Sequence, residues 1–199
     1  MKKQIIIIHG GDTFKTYKEY LTFLRRYKIN FERFKTKGWK DNISKQLGKN
    51  FEVISPRMPN PMNAKYNEWK IMFNKLQPFL KNNLVLIGHS LGGIFLAKYL
   101  SENKFSKKIK ATFLIAAPYG DKNSKDYLGD FILPKNLEKF QNQGGMVFIY
   151  YSQDDPIVPF SDFKKYQRSL KNSINRVFTN RGHFNQERLP ELVRDIKIL

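Results

Sequence analysis

The chain of 199 residues is long enough for one domain with a substantial core, and its 41% hydrophobic and 15% aromatic content excludes a disordered chain. The absence of cysteine excludes disulfides and thiolate chemistry, and every apolar run is far shorter than the roughly 20 residues that span a bilayer. We therefore expect one soluble domain over residues 1–199. The N-terminal apolar run, residues 5–8, is also shorter than the core of a secretory signal, which favours a cytoplasmic location.

The formal net charge is +19, which raises the question of an anionic partner. Lysines occur in nearly every segment, and no recognised nucleic-acid-binding motif accompanies them. The densest basic run, residues 25–40, is therefore expected to be a solvated face, with nucleic-acid binding as the alternative. The sequence leaves the oligomeric state open.

Short strand-like runs alternate along the chain with longer segments of helical periodicity. The expected strands are residues 4–8, 51–55, 84–87, 111–116, 146–152 and 176–179. The expected helices are residues 39–47, 66–80, 92–100, 160–170 and 186–199. This alternation predicts an α/β fold with a doubly wound, mostly parallel six-stranded sheet and helices on both faces.

A serine interrupts the apolar pattern where the third expected strand passes into a helix. Residues 88–92 read Gly-His-Ser-Leu-Gly, the G-x-S-x-G pattern of a nucleophile elbow, a tight turn that exposes the serine hydroxyl. Ser90 is therefore predicted to be a nucleophile. The backbone N–H of Leu91, at the start of the next helix, is predicted to stabilise a developing oxyanion. The alternative is a glycine-rich turn with an incidental serine.

A serine nucleophile needs a general base, and the base needs an acid that orients it. Of the three histidines, His9 ends the first strand and His89 lies inside the elbow, so His183, which follows the last strand, is the predicted base. The acid is expected after the fifth strand, where Asp154 and Asp155 are adjacent. Asp155 is favoured because it begins Asp-Pro-Ile-Val-Pro, the D-x-x-V-P form common in enzymes with this arrangement. Asp154 is expected to be a turn residue that caps backbone N–H groups.

Taken together, these residues resemble the α/β-hydrolase superfamily, and more narrowly the small serine hydrolases typified by retinoblastoma-binding protein nine, also described as YdeN-like. The resemblance covers most of the chain and rests on Met58-Pro59-Asn60-Pro61, Gly88-His89-Ser90, Asp154-Asp155-Pro156 and Gly182-His183-Phe184. It implies a catalytic triad of Ser90, His183 and Asp155. It also implies the strand order 2-1-3-4-5-6, in which the loops after strands one and three flank the topological switch point.

The turn His9-Gly10-Gly11-Asp12 closes the first strand. In this superfamily the backbone N–H that follows His-Gly commonly completes the oxyanion hole, so the resemblance implicates Gly11. Gly10, His89 and Met58 are expected to border the substrate. The alternative for this turn is an ordinary βα connection.

Two segments, residues 13–37 and 119–145, are longer than a crossover connection needs. The first is an insertion relative to short family members and carries Phe14, Tyr17, Leu21 and Leu24 at helical spacing. These side chains are expected either to form a lid over an acyl site or to pack on the sheet as a satellite core. Residues 119–145, which include Tyr127, are a second candidate cap.

The predicted function is hydrolysis of a carboxylic ester or thioester through a covalent acyl-enzyme, with a small-molecule ester or acyl substrate and neither metal nor organic cofactor. An acyltransferase or a peptidase would use the same side chains, and both stay open. A protein-binding module that retains the fold is an alternative of a different class.

Overall fold

The computed structural model of the protein describes residues 2–120 and 127–199. The strands, in chain order, are β1 (Lys3–Ile8), β2 (Phe51–Ile54), β3 (Leu84–His89), β4 (Ile109–Ile115), β5 (Met146–Ser152) and β6 (Ile174–Phe178). They form one six-stranded sheet of parallel pairs in the order β2-β1-β3-β4-β5-β6, which confirms the predicted sheet. Because β1 and β3 are neighbours whose connections leave in opposite directions, the switch point lies between their carboxyl ends.

The helices are α1 (Tyr17–Arg26), α2 (Glu32–Lys35), α3 (Trp39–Leu47), α4 (Tyr66–Leu76), α5 (Leu91–Glu102), α6 (Glu138–Gln143), α7 (Phe160–Ser169) and α8 (Pro190–Lys197). The last helix starts at Pro190 rather than at residue 186, because proline suits the first helical position, where its missing N–H has no partner to lose. Residues 179–189 are therefore a loop. Within residues 2–120 and 127–199, none of the helices combines the length and the apolar character of a membrane span.

Both faces of the sheet are covered by apolar packing. Successive side chains of β1 alternate between the two sides, so Ile6 and Ile8 belong to one core and Ile5 and Ile7 to the other. The first core includes the aromatic side chains of α4 and α5, and the second includes apolar side chains of α3, α8 and the loop before α8. Each fully buried side chain of this size contributes about 1.5–3 kcal/mol. This packing holds the carboxyl ends of β1, β3 and β5 in a fixed arrangement.

Candidate active site

Ser90 forms the corner between β3 and α5. Its backbone adopts φ 54° and ψ −124°, and its N–H donates to the Ile115 carbonyl at 2.8 Å. A non-glycine residue at such a positive φ costs about 1–3 kcal/mol and persists only where the surroundings enforce it. The backbone around this turn is tightly packed. A Cβ added at Gly88 would overlap the Gly92 carbonyl oxygen, and one added at Gly92 would overlap the Ile8 carbonyl oxygen. Both glycines of the motif are therefore required by backbone packing. β3 continues through residue 89, so Ser90 alone separates strand from helix.

His183 and Asp155 form a buried pair at the same edge of the sheet. The Nδ1 atom of His183 lies 2.9 Å from Oδ2 and 3.1 Å from Oδ1 of Asp155, whose side chain is fully buried. The N–H groups of Ile157 and Val158 donate to Oδ1 of the same carboxylate at 2.8 and 3.0 Å and fix its orientation. An ionised carboxylate only accepts hydrogen bonds, so Nδ1 of His183 carries the hydrogen. The Nε2 atom of the neutral ring is then the one that can accept a proton.

Asp154 has a different set of contacts. Its Oδ1 atom accepts hydrogen bonds from the Ser152 hydroxyl and, at 2.9 Å, from the Gly182 N–H, and the Ser152 hydroxyl in turn accepts the Arg181 N–H at 2.9 Å. The hydrogen bond from Ser152, followed by the one from Gly182, lowers the pKa of Asp154. Asp154 thus holds the backbone immediately before His183.

Helix α3 supports the loop that carries His183 from the other side. The indole N–H of Trp39 donates to the Phe184 carbonyl at 2.9 Å, and the Trp39 backbone N–H donates to the Gln186 carbonyl at 2.9 Å. Phe184 is fully buried and adopts φ 53°, a conformation that these contacts hold in place. Sequence reasoning missed Trp39, because its partners lie about 145 residues away along the chain.

His89 lies beneath the same loop and is not among the residues that line the cleft described below. Its Nε2 atom lies 2.8 Å from the His183 carbonyl oxygen, and its Nδ1 atom lies 3.1 Å from Nζ of Lys40. A carbonyl oxygen only accepts, so Nε2 donates to it and Nδ1 accepts from Lys40. Burial, with further contributions from the positive charge of Lys40 and from His183, lowers the pKa of His89 well below 6.5, and burial lowers the pKa of Lys40 to about 8. His89 is therefore neutral and supports His183 through its backbone.

Two backbone N–H groups adjoin Ser90. Leu91 is the first residue of α5, and the N–H at that position has no acceptor within a helix. Among the backbone hydrogen bonds of residues 2–120 and 127–199, neither Leu91 N–H nor Gly11 N–H has an acceptor. A Cβ added at Gly11 would lie 2.6 Å from the Pro61 carbonyl oxygen and 3.3 Å from the Leu91 side chain, so glycine is required there as well. The structure thus brings Gly11 and Leu91, the two predicted oxyanion donors, to the same cleft as Ser90.

His9 and Met58 hold the turn that carries Gly11. His9 Nδ1 donates to the Gly10 carbonyl at 2.6 Å, and its Nε2 accepts the Met58 N–H at 2.9 Å. The Met58 side chain is only 2% exposed and packs in the core. Of the three residues expected to border the substrate, Gly10 lies against Ser90, whereas Met58 and His89 are buried and support neighbouring loops. Neither Met58 nor His89 is among the residues that line the cleft beside Ser90.

A cleft of about 880 Å³ opens beside Ser90, a volume typical of small-molecule sites. Both candidate caps contribute to its lining, the first through Phe14 and Phe23 and the second through Tyr127 and Leu128. Asp155 lines the same cleft as Ser90 and pairs with His183, so the structure brings the three predicted residues to one site. Among the described residues, no group of three or more His, Cys, Asp or Glu side chains is placed to hold a metal ion.

Residues 13–37 were expected to form either a lid or a satellite core, and the structure departs from parts of both expectations. None of its described side chains is buried, so it does not form a satellite core. Phe14 and Phe23, whose ring centroids are 5.0 Å apart, line the cleft together with Thr13, whereas Tyr17 is 68% exposed. The helix begins only at Tyr17, which places Phe14 outside the helical spacing assumed from the sequence.

The two candidate caps contact each other. The Thr13 hydroxyl donates to the Tyr127 carbonyl, and Nζ of Lys15 lies 5.8 Å from the centre of the Tyr127 ring. Farther along the second cap, Phe131 is fully buried in the core. Part of this cap, residues 121–126, lies outside the described residues.

Comparison with known proteins decides the family. A family model described as serine hydrolase matches residues 31–189. The chain belongs to this serine hydrolase family. It is 28% identical over 167 residues to the serine hydrolase RBBP9 of Rattus norvegicus, with 81% of this chain and 86% of RBBP9 covered. It is 24% identical over 195 residues to YdeN of Bacillus subtilis (strain 168), with 94% of this chain and 88% of YdeN covered.

Solved structures of other proteins share the fold of this serine hydrolase. The crystal structure of the Bacillus subtilis ydeN product superposes with a TM-score of 0.78 at 20% identity and covers 99% of this chain and 98% of that one. A thioesterase domain from the curacin biosynthetic pathway superposes with a TM-score of 0.62 at 11% identity and covers 98% and 89% of the two chains. The resemblance to an α/β-hydrolase of the RBBP9 and YdeN type is thereby confirmed.

Proposed function

We propose that this serine hydrolase cleaves carboxylic esters or thioesters through a covalent acyl-enzyme on Ser90. The observation that carries the proposal is the buried Asp155–His183 pair, with Nδ1 and Oδ2 2.9 Å apart, at the cleft where the strained elbow presents Ser90. An elbow serine alone is a weak nucleophile, and the oriented imidazole is what activates it. The thioesterase domain of the same fold is the reason to include thioesters.

In the proposed reaction, Ser90 Oγ attacks the carbonyl carbon of the ester while Nε2 of His183 takes the hydroxyl proton. The N–H groups of Gly11 and Leu91 donate to the oxyanion of the tetrahedral intermediate. The intermediate collapses, the C–O or C–S bond breaks, and His183 returns the proton to the leaving alkoxide or thiolate. Water then repeats the sequence on the acyl-enzyme and releases the acid.

Asp155 stabilises the imidazolium that forms at each proton transfer. Among the described residues, Ser90 Oγ makes no hydrogen bond, including none with His183. We expect this contact to form when substrate is bound, because catalytic hydrogen bonds are often long in unliganded enzymes and tighten in the complex.

We also propose that residues 13–37 form a lid over the acyl group and that residues 119–145 form a second cap on the cleft. Phe14, Phe23 and Leu128 supply apolar lining, and the Thr13–Tyr127 contact joins the two caps. Both core layers share one sheet, which supports a single domain to which the caps are attached.

Labelling with a fluorophosphonate probe, followed by mass spectrometry of the modified peptide, tests the assignment. The probe should modify Ser90 in the wild type, and Ser90→Ala should abolish both labelling and turnover of p-nitrophenyl acetate. Ser161→Ala is the matched control, because Ser161 is exposed and lines the same cleft. A folded Ser90→Ala protein with full activity would overturn the mechanism. A wild type that the probe does not label would favour a binding module instead.

A further inference from the structure

Exposed apolar side chains are concentrated in one short part of the chain. Of the fourteen large apolar residues that are exposed among the described residues, five fall between residues 17 and 34. They are Tyr17 (68% exposed), Tyr27 (50%), Ile29 (70%), Phe31 (67%) and Phe34 (75%). Single exposed apolar residues are ordinary, whereas a group of them in one short segment calls for a functional explanation.

The same segment is strongly basic. Residues 13–37 contain eight lysines and arginines against two glutamates. Most of these cations are exposed, among them Arg25, Arg26 and Lys28, and Lys35 pairs with Glu32 at 2.8 Å. We name residues 13–37 with these exposed aromatic, apolar and basic side chains the aromatic-basic surface.

Contacts between aromatic rings connect this surface to the cleft. The ring centroids of Phe14 and Phe23, which line the cleft, are 5.0 Å apart, and Phe23 lies 5.5 Å from Tyr27. A second path leads from Phe14 to Tyr20 at 5.6 Å and on to Tyr17 at 5.9 Å. Tyr17 and Tyr27 of the aromatic-basic surface are thus connected through ring contacts to the apolar lining beside Ser90.

We propose that the aromatic-basic surface binds an anionic lipid surface and so presents the cleft to acyl esters held in that surface. Aromatic and aliphatic side chains beside lysine and arginine are the composition of segments that lie in a membrane interface, where the cations contact anionic headgroups. Binding of this kind needs no membrane-spanning helix. The consequence for substrate choice rests on the proposed ester hydrolysis, whereas lipid binding itself does not.

Two other occupants fit the surface less well. A second copy of this chain would place the same cations against each other, because a two-fold interface pairs a patch with itself. Nucleic acid would match the charge, but Ile29 offers no ring for a base to stack on, and nucleic-acid binding would leave the connection to the acyl cleft without a role.

The test is sedimentation of the full chain with sucrose-loaded vesicles of phosphatidylcholine alone or with about 30% phosphatidylglycerol, in 50 mM and in 500 mM NaCl. The Ser90→Ala variant is used, so that hydrolysis does not change the lipid. We expect binding to the anionic vesicles at low salt, and much weaker binding to neutral vesicles or at high salt. Arg25→Gln with Arg26→Gln should weaken binding on the order of 20-fold, and Phe31→Ser with Phe34→Ser should remove most of it.

Matched controls lie elsewhere on the surface. Phe79 is 75% exposed, like Phe34, and Lys104 and Lys108 are exposed. Phe79→Ser and the double variant Lys104→Gln, Lys108→Gln should bind vesicles nearly as the unchanged protein does. All these positions are exposed, so melting temperatures should stay within a few degrees and separate lost binding from lost folding.

Three results would overturn the proposal: no binding to anionic vesicles at low salt, equal losses in the matched controls, or retained binding after the Phe31 and Phe34 substitutions. Concentration-dependent dimerisation that those two substitutions abolish would assign the surface to a second copy instead. Tighter binding to a single-stranded oligonucleotide than to the vesicles would assign it to nucleic acid. Fluorophosphonate labelling of Ser90 in the wild type is read separately, so failure of lipid binding and failure of the hydrolase mechanism are distinguishable.

Discussion

Lys40 and His89 share a hydrogen bond of 3.1 Å between Nζ and Nδ1, beneath the loop that carries His183. Both side chains are basic, and both are shielded from solvent enough that burial is the main cause of their lowered pKa values. The neutral His89 in turn donates a hydrogen bond of 2.8 Å from Nε2 to the His183 carbonyl oxygen. A lysine from α3 therefore supports the position of the proposed base from below.

This pair predicts a specific dependence of stability on pH. Burial lowers the pKa of Lys40 from 10.5 to about 8, so between these pH values the unfolded chain holds a proton that the folded chain has released. Stability rises with pH wherever the unfolded state binds more protons. Between pH 8 and 10, the free energy of unfolding of the wild type should therefore rise relative to that of Lys40→Met. The rise is at most about 1.4 kcal/mol per pH unit.

Urea unfolding of both proteins at pH 7, 8, 9 and 10 measures this difference. Lys45→Met, which removes an exposed lysine from the same helix, is the matched control. A constant difference between wild type and Lys40→Met would mean that Lys40 titrates normally.

The two adjacent aspartates should have unequal effects on catalysis. Asp155→Asn removes the charge that faces Nδ1 of His183, and the loss of this charge in a triad costs about 10⁴ in kcat. Asp154→Asn keeps a side-chain oxygen for the Gly182 N–H, so we expect a loss of less than about tenfold. Steady-state hydrolysis of p-nitrophenyl acetate measures both, with circular dichroism as the control for folding. The reverse order would transfer the orienting role to Asp154.

The position of Gly11 should be sensitive to a single methyl group. An added Cβ would lie 2.6 Å from the Pro61 carbonyl oxygen, so Gly11→Ala must shift the backbone whose N–H is the proposed oxyanion donor. The loss of one such donor costs about 10²–10³ in kcat. Gly38→Ala is the control, because its Cβ would meet nothing nearer than 3.9 Å and its φ of −83° suits any residue. Unchanged kcat in a folded Gly11→Ala enzyme would remove Gly11 from the oxyanion hole.

The proposed lid should control selectivity for chain length. Phe14 and Phe23 line the cleft, and each CH₂ buried against them contributes about 0.8 kcal/mol, which an acetyl ester barely uses. The double variant Phe14→Ala, Phe23→Ala should lower kcat/KM for octanoyl esters at least about tenfold more than for acetyl esters. Tyr17→Ala, which changes an exposed side chain of the helix that carries Phe23, should leave the ratio of the two rates unchanged. An equal loss for both esters, together with a large fall in melting temperature, would indicate a structural role instead.

The sequence by itself determined the features that depend on neighbours along the chain. The strands follow from apolar runs, and the elbow at Ser90 follows from five consecutive residues, because the glycines that permit the turn are adjacent to it. The family resemblance added the strand order, which the structure confirms. These features are local in their physical cause, since steric exclusion and the period of exposed and buried side chains act over a few residues.

Only the tertiary structure decided which side chains meet across the fold. It showed that Asp155 faces His183 while Asp154 holds the preceding backbone, because adjacent side chains in a turn diverge according to how the turn packs. It placed Met58 in the core, and it put Phe23 instead of Tyr17 at the cleft. The support of the His183 loop by Trp39, about 145 residues away from its partner, has no signal in the sequence. Such contacts exist only once the sheet has fixed the spatial order of its loops.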